Sequence, residues 1–435
     1  MKKLALVLGG GGARGAYEVG VWEALIEENF SPDIVTGTSV GALNAAFIAQ
    51  DSFDTAKEIW LCIDNAKVLG SQFEGRLKRG NGINNITAFA KEFIENGGAD
   101  ASALHSLLTR YVDEDKIREN KHILFGLVTA EFPAMRPQKL FIDDIPRGKL
   151  VDFLMASSAC FPAMRAYEMD GKAFVDGGFS DNLPAKMATE KGAKEIIAVN
   201  LDAPGIVHNL KHLPGVKEKK IKITEIKSRE NLGEILNFDK DTAARNMRLG
   251  YLDTKRALGK LDGFYYAIKK DSRDLVRLNK MFDTALSAAG IGNGGNRLLR
   301  RVLLRGITSI TRGEKVTEKA AIIYALECAA RVYEINPLEI YDFNVLSEKV
   351  VSEYMRAGDS PYKSTALYNM LEKEKGKVTG YAASRLLNLN KRDIVAAFTE
   401  MLDENNLNPA HILATVLPQE FAAAVFINAI KPYVK

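Results

Sequence analysis

A serine in a glycine-bounded turn is the first residue of this chain that could act as a nucleophile. Ser39 lies in the pentapeptide Gly37-Thr38-Ser39-Val40-Gly41, a G-x-S-x-G pattern between a strand-like apolar run and an almost uncharged helical one. At a strand-to-helix turn this pattern is a nucleophile elbow, in which the glycines permit the strained turn and expose the hydroxyl. The helix dipole at that position favours developing negative charge. The spacing therefore predicts that Ser39 attacks a carbonyl carbon.

A second glycine motif opens the helix before it. The first apolar run ends in four consecutive glycines, and Gly10–Gly15 reads GGGARG. Such a run costs backbone entropy, which indicates a main chain that comes very close to another group. In a parallel sheet this loop and the Ser39 turn lie at the same edge, so their amides can converge in an oxyanion hole. An arginine at a helix start is unfavourable on dipole grounds, which indicates anion binding by Arg14. The predicted oxyanion-binding residues are Gly10, Gly11, Gly12, Arg14 and Val40.

The glycine loop also matches G-x-G-x-x-G, the dinucleotide fingerprint. A dinucleotide site needs an acidic residue at the far end of the second strand, whereas Asp33 lies at its near end. A phosphate-binding P-loop needs Lys-Ser/Thr after the glycines, and this chain has Ala16-Tyr17. A nucleotide site and glycines that serve only close packing stay open as alternatives.

Ser39 needs a group that accepts its proton. None of the five histidines has a glycine-rich neighbourhood that would position it in a turn; they are His105, His122, His208, His212 and His411. Asp176 instead ends a short apolar run and precedes Gly177-Gly178. These glycines permit a tight turn that aims the carboxylate at the sheet edge, although an ordinary Asp-Gly turn is the alternative. We therefore interpret Asp176 as the candidate base.

Taken together, these motifs resemble the patatin-like phospholipase family. The resemblance rests on GGGARG, GTSVG at Gly37–Gly41 and DGG at Asp176–Gly178, supported by ASSACFPAM at Ala156–Met164 and NLP at Asn182–Pro184. It covers roughly residues 1 to 265 and includes GYLDTKRAL at Gly250–Leu258. DGG stands where many members of the family have DGA.

The resemblance implies a Ser39–Asp176 dyad that works without histidine, metal or another cofactor, through an acyl-enzyme. It implies a lipid or phospholipid substrate, with Arg14 supporting the oxyanion or a lipid phosphate. Because an ordinary Asp has a pKa near 3.9 and is a poor base at neutral pH, we expect burial to raise the pKa of Asp176. Acyl transfer or thioester hydrolysis by the same dyad, and non-catalytic lipid binding, remain alternatives. The head-group preference and the oligomeric state are not predicted.

Strand-like and helical patterns alternate through the first part of the chain. They predict a strand at Leu4–Leu8, a helix at Gly15–Glu28, a strand at Asp33–Gly37 and a helix at Val40–Gln50. Further strand-like runs lie at 122–129, 140–142, 173–175 and 196–201. This order predicts an α/β fold, a largely parallel sheet flanked by helices.

Beyond Tyr266 the strand-like runs thin out, and helical patterns follow at Glu318–Tyr333 and Ala366–Glu374. We predict a patatin-like α/β acyl hydrolase domain over residues 1–270. A mainly helical C-terminal region of unknown role is expected over residues 271–435.

The composition fits a globular protein of two or three domains. The chain has 435 residues, of which 46% are hydrophobic and 26% charged, and its net charge of +4 gives little reason to expect nucleic acid. Three widely separated cysteines indicate neither a disulfide framework nor a zinc site, which favours a reduced, cytoplasmic protein. Two basic clusters allow peripheral contact with a membrane, with a solvated face as the alternative. They are the Lys217–Lys220 run and the set Arg297, Arg300, Arg301 and Arg305.

Overall fold

The computed structural model describes residues 3–69, 101–216, 220–270, 317–357, 390–403 and 417–433. The chain divides into two compact units, Met1–Leu258 and Gly259–Lys435. The predicted helix at Ala366–Glu374, the arginine cluster at 297–305 and Lys217–Lys219 lie outside the described residues.

An eight-stranded sheet forms the centre of the first unit. Its strands are β1 (Lys3–Leu8), β2 (Ile34–Thr38), β3 (Leu124–Phe132), β4 (Arg136–Phe141), β5 (Tyr167–Met169), β6 (Lys172–Asp176), β7 (Ala193–Asn200) and β8 (Lys222–Lys227). The strand order is β5-β6-β3-β2-β1-β7-β8, with β4 paired to β3. The run β3-β2-β1-β7-β8 is parallel throughout. The strands β4, β5 and β6 add antiparallel pairs at the β3 side.

Helices flank this sheet and enclose its apolar strands. They are α1 (Ala16–Glu27), α2 (Val40–Ala49), α3 (Phe53–Leu61), α4 (Asn65–Leu69), α5 (Ser102–Tyr111), α6 (Glu114–Glu119), α7 (Leu150–Ser157), α8 (Ala185–Glu190) and α9 (Lys240–Ala257). Strand β2 is buried at every position, as expected for a central strand of a parallel sheet. The long helix α9 closes the unit against α1, where the Tyr17 hydroxyl donates to the Asp253 carboxylate over 2.7 Å.

The second unit is mainly helical in its described part, with a small sheet. Its strands are β9 (Leu261–Asp262), β10 (Ala267–Lys269) and β11 (Ile340–Tyr341), and its helices are α10 (Glu318–Val332), α11 (Phe343–Arg356), α12 (Lys391–Asp403) and α13 (Pro418–Ile430). Apolar residues of all four helices form one core that also takes in Tyr266 and Ile268. The buried Glu327 carboxylate accepts hydrogen bonds from the N–H groups of Phe264, Tyr265 and Tyr266, which holds this turn against α10.

The predicted fold class is confirmed: a largely parallel sheet flanked by helices precedes a mainly helical part. The sequence predicts residues 259–270 as the end of the α/β domain, but in the structure these residues belong to the second unit. The sequence pattern did not indicate that β6 runs antiparallel to β3. Within the described residues, no helix is both long and apolar enough to span a bilayer.

Candidate active site

Ser39 lies on a strained turn between β2 and α2. Its backbone has φ 55° and ψ −129°, a conformation that residues with a Cβ seldom adopt. Gly37 and Gly41 make the turn possible, because a Cβ on Gly37 would collide with the Gly41 backbone and one on Gly41 with the carbonyl oxygens of Leu8 and Gly9. The predicted nucleophile elbow is therefore present in its geometry.

The register of the sheet brings Asp176 to the same place. On β3, Val128 pairs with Thr38 of the parallel strand β2, and the next residue, Thr129, pairs with Asp176 of the antiparallel strand β6. Two strands that run in opposite directions thus end beside one another on either side of β3. The chain continues from Asp176 into a 3₁₀ turn at Gly177–Phe179. Within this turn the Gly178 N–H donates to the Asp176 carboxylate over 2.7 Å.

The Ser39 hydroxyl donates a hydrogen bond to the Asp176 carboxylate. Both side chains are buried, with exposed fractions of 8% for Ser39 and 7% for Asp176. Burial raises the pKa of Asp176 from an ordinary 3.8 to about 6, and the hydrogen bonds from Ser39 and Gly178 oppose that rise. The carboxyl therefore titrates close to the range in which a general base is effective.

Amides of the glycine loop lie at the same cavity. Gly10, Gly11, Gly12, Ser39, Val40 and Asp176 all line it. In the described part of the chain, the N–H groups of Gly11 and Gly12 have no hydrogen-bond partner, whereas the Gly10 N–H donates to the Asn182 carbonyl over 3.1 Å. Val40 is the first residue of α2, where an N–H has no carbonyl one turn earlier to bond. The N–H groups of Gly11, Gly12 and Val40 can therefore donate hydrogen bonds to a developing oxyanion, whereas that of Gly10 is already engaged.

Asn182 ties the glycine loop to the Asp176 turn. Its carbonyl accepts from the Gly10 N–H, and its side-chain amide donates to the Gly10 carbonyl over 3.3 Å. A Cβ on Gly178 would come within 2.9 Å of the Asn182 side-chain oxygen, so this turn also packs directly on the asparagine. In the sequence, Asn182 is visible only as part of the NLP motif, which indicates no role for it.

Arg14 lies away from the cavity. Its guanidinium donates to the carbonyls of Gly233, Leu201 and Asp202, over 2.8, 3.1 and 2.6 Å. It is not among the described residues that line the cavity with Ser39. The predicted role of Arg14 at the oxyanion or at a lipid phosphate has no support in this placement, because the side chain holds three neighbouring carbonyls instead.

Two adjacent serines next to the elbow differ in their bonding. The Ser157 hydroxyl accepts from the Ser39 N–H over 3.0 Å and donates to the Val128 carbonyl over 2.7 Å. The Ser158 hydroxyl is buried, lines the cavity and has no hydrogen-bond partner among the described residues. Ser157 therefore fixes the strained turn to β3. The ASSAC stretch is visible in the sequence, but the different roles of its two serines depend on contacts with β3 and with the Ser39 turn, which the sequence does not show.

The cavity has a volume of about 310 Å³ and a mainly apolar wall. One face of α2 lines it with Val40, Leu43, Asn44 and Phe47, which recur at helical spacing. The wall is completed by apolar residues of three further helices and of loops, among them Ile59, Trp60, Val68, Leu104, Leu108, Met164 and Phe238.

The exposure of the lining residues orients this cavity. Phe161 and Phe179 are 36% and 39% exposed and mark its mouth, whereas Phe47 and Leu108 are 4% and 0% exposed and mark its inner end. Because α2 rises 1.5 Å per residue, Phe47 lies about 12 Å along the helix from Ser39. A chain of methylene groups that starts at Ser39 thus has an apolar path into the unit.

A buried polar network supports the cavity wall. The Trp60 indole N–H donates to the Asn44 side-chain oxygen over 3.1 Å, and the Asn44 amide donates to the Glu18 carboxyl over 2.8 Å. Burial raises the pKa of Glu18 well above its usual range, which favours the neutral form of this carboxyl in the network. The orientation of Trp60 is therefore set by hydrogen bonds as well as by packing.

Other groups that could compete in the chemistry are inactive or absent from the cavity. Cys160 lines the cavity, but burial, together with the nearby Asp176 carboxylate, raises the pKa of its thiol to about 12. The thiol therefore stays protonated and is a poor nucleophile. None of the four described histidines lines the cavity, and His411 lies outside the described residues. No cluster of three His, Cys, Asp or Glu side chains suited to a metal ion occurs in the described ranges.

The fold and the site define a class: α/β proteins with a serine on a nucleophile elbow and a carboxylate as its hydrogen-bond partner. Residues 6–189 match the family model described as patatin-like phospholipase. This match confirms the resemblance that the motifs predicted, and it spans the glycine loop, the elbow and the Asp176 turn.

Curated relatives show the same likeness over part of the chain. Patatin-like phospholipase domain-containing protein 6 of Homo sapiens is 30% identical over 200 residues, which are 46% of this chain and 13% of that protein. Lysophospholipase NTE1 of Meyerozyma guilliermondii is 28% identical over 205 residues, 46% of this chain and 12% of that protein. The chain thus spans only a small part of the relatives it matches.

Among solved structures, VipD from Legionella pneumophila aligns with 100% of this chain and 92% of its own, at 14% identity and a TM-score of 0.39. The type III effector protein ExoU aligns with 98% of this chain and 77% of its own, at 15% identity and a TM-score of 0.32.

Proposed function

We propose that this chain is a serine lipid acyl hydrolase that cleaves fatty-acyl esters of phospholipids or related lipids. The observation that carries the proposal is the hydrogen bond from Ser39, on its strained elbow, to a buried carboxylate with a raised pKa. The apolar cavity beside this pair and the match of residues 6–189 to patatin-like phospholipases give further support.

In the first step the Ser39 oxygen attacks the ester carbonyl carbon while its proton passes to Asp176. The carbonyl oxygen gains the negative charge, and the amides of Gly11, Gly12 and Val40 donate hydrogen bonds to it. When the tetrahedral intermediate collapses, the carbon–oxygen bond to the leaving alcohol breaks. Asp176 returns the proton to that oxygen, which leaves an acyl group on Ser39.

In the second step water attacks the acyl-enzyme and gives its proton to Asp176. The same amides hold the second oxyanion, and its collapse releases a fatty acid and restores the Ser39 hydroxyl with the proton from Asp176. Each step needs Asp176 ionised at its start, which a pKa of about 6 allows at neutral pH. The scheme is complete with the chain's own residues and one water molecule.

The substrate class follows from the cavity and from the names of the relatives. The path along α2 accepts an acyl chain, and its mouth, with exposed aromatic side chains, suits a substrate that arrives from a lipid surface. Relatives named phospholipase and lysophospholipase point to glycerophospholipid esters. Peripheral contact with a lipid surface belongs to this proposal.

The test is labelling with a serine-reactive phosphonate, read as the mass added to the intact chain, with a chelator present. We expect labelling of the wild type, none of Ser39→Ala, and slow labelling of Asp176→Asn. Ser158→Ala is the matched control, because Ser158 is a buried serine that lines the same cavity. Labelling that persists in Ser39→Ala, or activity lost to the chelator, contradicts the dyad. Fatty-acid release against acyl transfer to an added alcohol then separates hydrolysis from transfer.

A further inference from the structure

The mouth of the cavity is surrounded by exposed apolar side chains. The first unit has seven exposed large hydrophobic residues among those described: Ile26, Leu61, Met135, Phe161, Phe179, Ile206 and Val207. Phe161 and Phe179 line the cavity directly. Ile206 and Val207, 50% and 41% exposed, follow Ala203, Pro204 and Gly205, which line it too. Four of the seven therefore gather at one opening, whereas scattered exposed apolar residues are ordinary.

Backbone hydrogen bonds attach this apolar rim to the catalytic turn. The Ile206 N–H donates to the Gly178 carbonyl over 2.9 Å, and the Asn182 N–H donates to the Ile206 carbonyl over 2.7 Å. Gly178 is also the residue whose N–H bonds the Asp176 carboxylate. The main chain of Ile206 thus has a fixed position, two hydrogen bonds away from the candidate base.

Charges on the same segment fit an interface with phosphate head groups. Asp202 at its start is ion-paired with Lys227 over 2.6 Å, so its charge is neutralised. Lys211 is exposed and has no ion pair in the described part of the chain. An apolar rim followed along the chain by an unpaired cation matches the layered chemistry of a bilayer surface, where apolar side chains reach acyl chains and cations remain with the head groups.

We propose that Phe161, Phe179, Ile206 and Val207 form the lipid-docking rim, the surface that inserts into a phospholipid bilayer and aligns the cavity mouth with the acyl layer. The inference rests on the proposed function, because the cavity must accept an acyl chain for this alignment to serve catalysis. A substrate then moves from bilayer to cavity without exposing its chain to water. Hydrophobic insertion provides binding that does not depend on the predicted basic clusters.

The test compares two isoleucines of similar exposure. Ile206→Asp places a charge on the rim, and Ile26→Asp places one on a 46% exposed isoleucine near the end of α1. Both are assayed by flotation with phosphatidylcholine vesicles and by hydrolysis of a water-soluble short-chain ester. We expect Ile206→Asp to weaken vesicle binding at least about tenfold, since it removes an apolar side chain and adds a charge to be desolvated. Its turnover of the soluble ester should equal that of the wild type, because Ile206 bonds Gly178 and Asn182 only through its main chain, which the substitution keeps. Ile26→Asp should match the wild type in both assays.

A fluorescence experiment gives a second readout that does not require loss of binding. The chain has two tryptophans, Trp22 and Trp60, and both are buried. In Ile206→Trp the new indole is exposed, so vesicles should shift its emission to the blue and brominated lipid should quench it. Ile26→Trp should show neither change, and the wild type corrects for any response of Trp60.

The outcomes separate the docking rim from the proposed function. Equal vesicle binding by Ile206→Asp and wild type, or emission of Ile206→Trp that vesicles leave unchanged, overturns the docking rim. If the wild type hydrolyses the soluble ester but does not bind vesicles, the docking rim is also overturned and the hydrolase proposal stands. A wild type that binds vesicles through the rim but hydrolyses neither soluble nor vesicular ester overturns the hydrolase and supports the docking surface.

Discussion

The hydroxyl of Ser157 accepts a hydrogen bond from the backbone N–H of Ser39 over 3.0 Å and donates one to the carbonyl of Val128. The side chain of one serine thereby holds the main chain of another in a conformation that a residue with a Cβ otherwise avoids. The strained backbone of Ser39 is therefore stabilised by a residue outside the turn, Ser157.

We expect Ser157→Ala to lower kcat by about tenfold with little change in KM. The variant leaves the buried Ser39 N–H without a partner, which costs about 1–3 kcal/mol and lets the turn relax. Ser158→Ala is the neighbouring control, because the Ser158 hydroxyl has no hydrogen bond to any described residue, and the melting temperature of this variant should stay unchanged or rise. Equal effects of the two substitutions on kcat and stability would show that Ser157 has no special hold on the elbow.

The pH dependence of catalysis should follow Asp176. The carboxylate must be ionised to accept the Ser39 proton, and its pKa is about 6. The kcat/KM for a soluble ester should therefore rise about tenfold per pH unit below 6 and level off above pH 7. Ser39→Ala and Asp176→Asn should each lose at least about 10³-fold in kcat/KM. An acid limb near pH 4 would mean that the carboxyl is not shifted by burial.

The same carboxyl should make the fold less stable at neutral pH. Because the folded pKa of about 6 is above the ordinary 3.8, the folded state binds more protons than the unfolded one between these values. Stability from this group is fully present below pH 3.8 and is lost as the pH rises through 6. At pH 8 the free energy of unfolding of Asp176→Asn should exceed that of the wild type by up to about 3 kcal/mol, and near pH 4 the two should converge.

Chemical unfolding of both proteins at pH 4, 6 and 8 measures this difference. Asp143→Asn is the control, because Asp143 is an exposed aspartate of the same unit. Its substitution should leave stability nearly unchanged at every pH. A difference between Asp176→Asn and wild type that does not grow with pH would contradict the raised pKa.

Gly12 should tolerate no side chain. Its φ is +54°, and a Cβ there would collide with the carbonyl oxygen of Ile235, so Gly12→Ala combines backbone strain with displacement of the loop that presents two free amides. We expect a loss of about 10²–10³ in kcat, the usual effect of removing one oxyanion donor. Gly148→Ala isolates the strain, since Gly148 has φ +79° and a Cβ there would meet open space. It should cost about 1–2 kcal/mol of stability and leave kcat unchanged.

The length of the acyl chain should be limited by Phe47. The residue lies on the lining face of α2, deep in the cavity, so Phe47→Ala lengthens the apolar path. The ratio of kcat/KM for long to short acyl esters should rise by about tenfold, as each methylene gained by a hydrophobic site contributes 1–3 kcal/mol. Ile48→Ala on the same helix is the control, because Ile48 does not line the cavity. An unchanged chain-length profile in Phe47→Ala would mean that the acyl chain takes another path.

The first fifty residues could be predicted closely because their signals are local. Periodicity and glycine placement determine β1, α1, β2 and α2 to within a few residues of the structure, and the G-x-S-x-G turn between them is a single strand-to-helix corner. The free amides of Gly11 and Gly12 follow from the same local geometry. Asp176 could be proposed from its glycine turn alone.

Contacts between distant segments could not be predicted in the same way. The antiparallel pairing of β6 with β3 joins residues more than forty positions apart. The bond from Ser39 to Ser157 and the contacts of Asn182 with Gly10 join residues more than a hundred positions apart. Arg14 was expected at the anion because its helix position alone is unfavourable. The carbonyls of Leu201, Asp202 and Gly233, which bind its guanidinium, have no sequence signature.

The two hydrogen bonds between Asn182 and Gly10 mean that Ser39 and Asp176 alone do not make a complete candidate site. A nascent chain that has emerged as far as Asp176 already contains Ser39 and Asp176. It does not yet contain Asn182, which binds the glycine loop at Gly10, or Ile206, whose carbonyl accepts from the Asn182 N–H. The candidate site is thus completed late in synthesis, after most of the first unit has been translated.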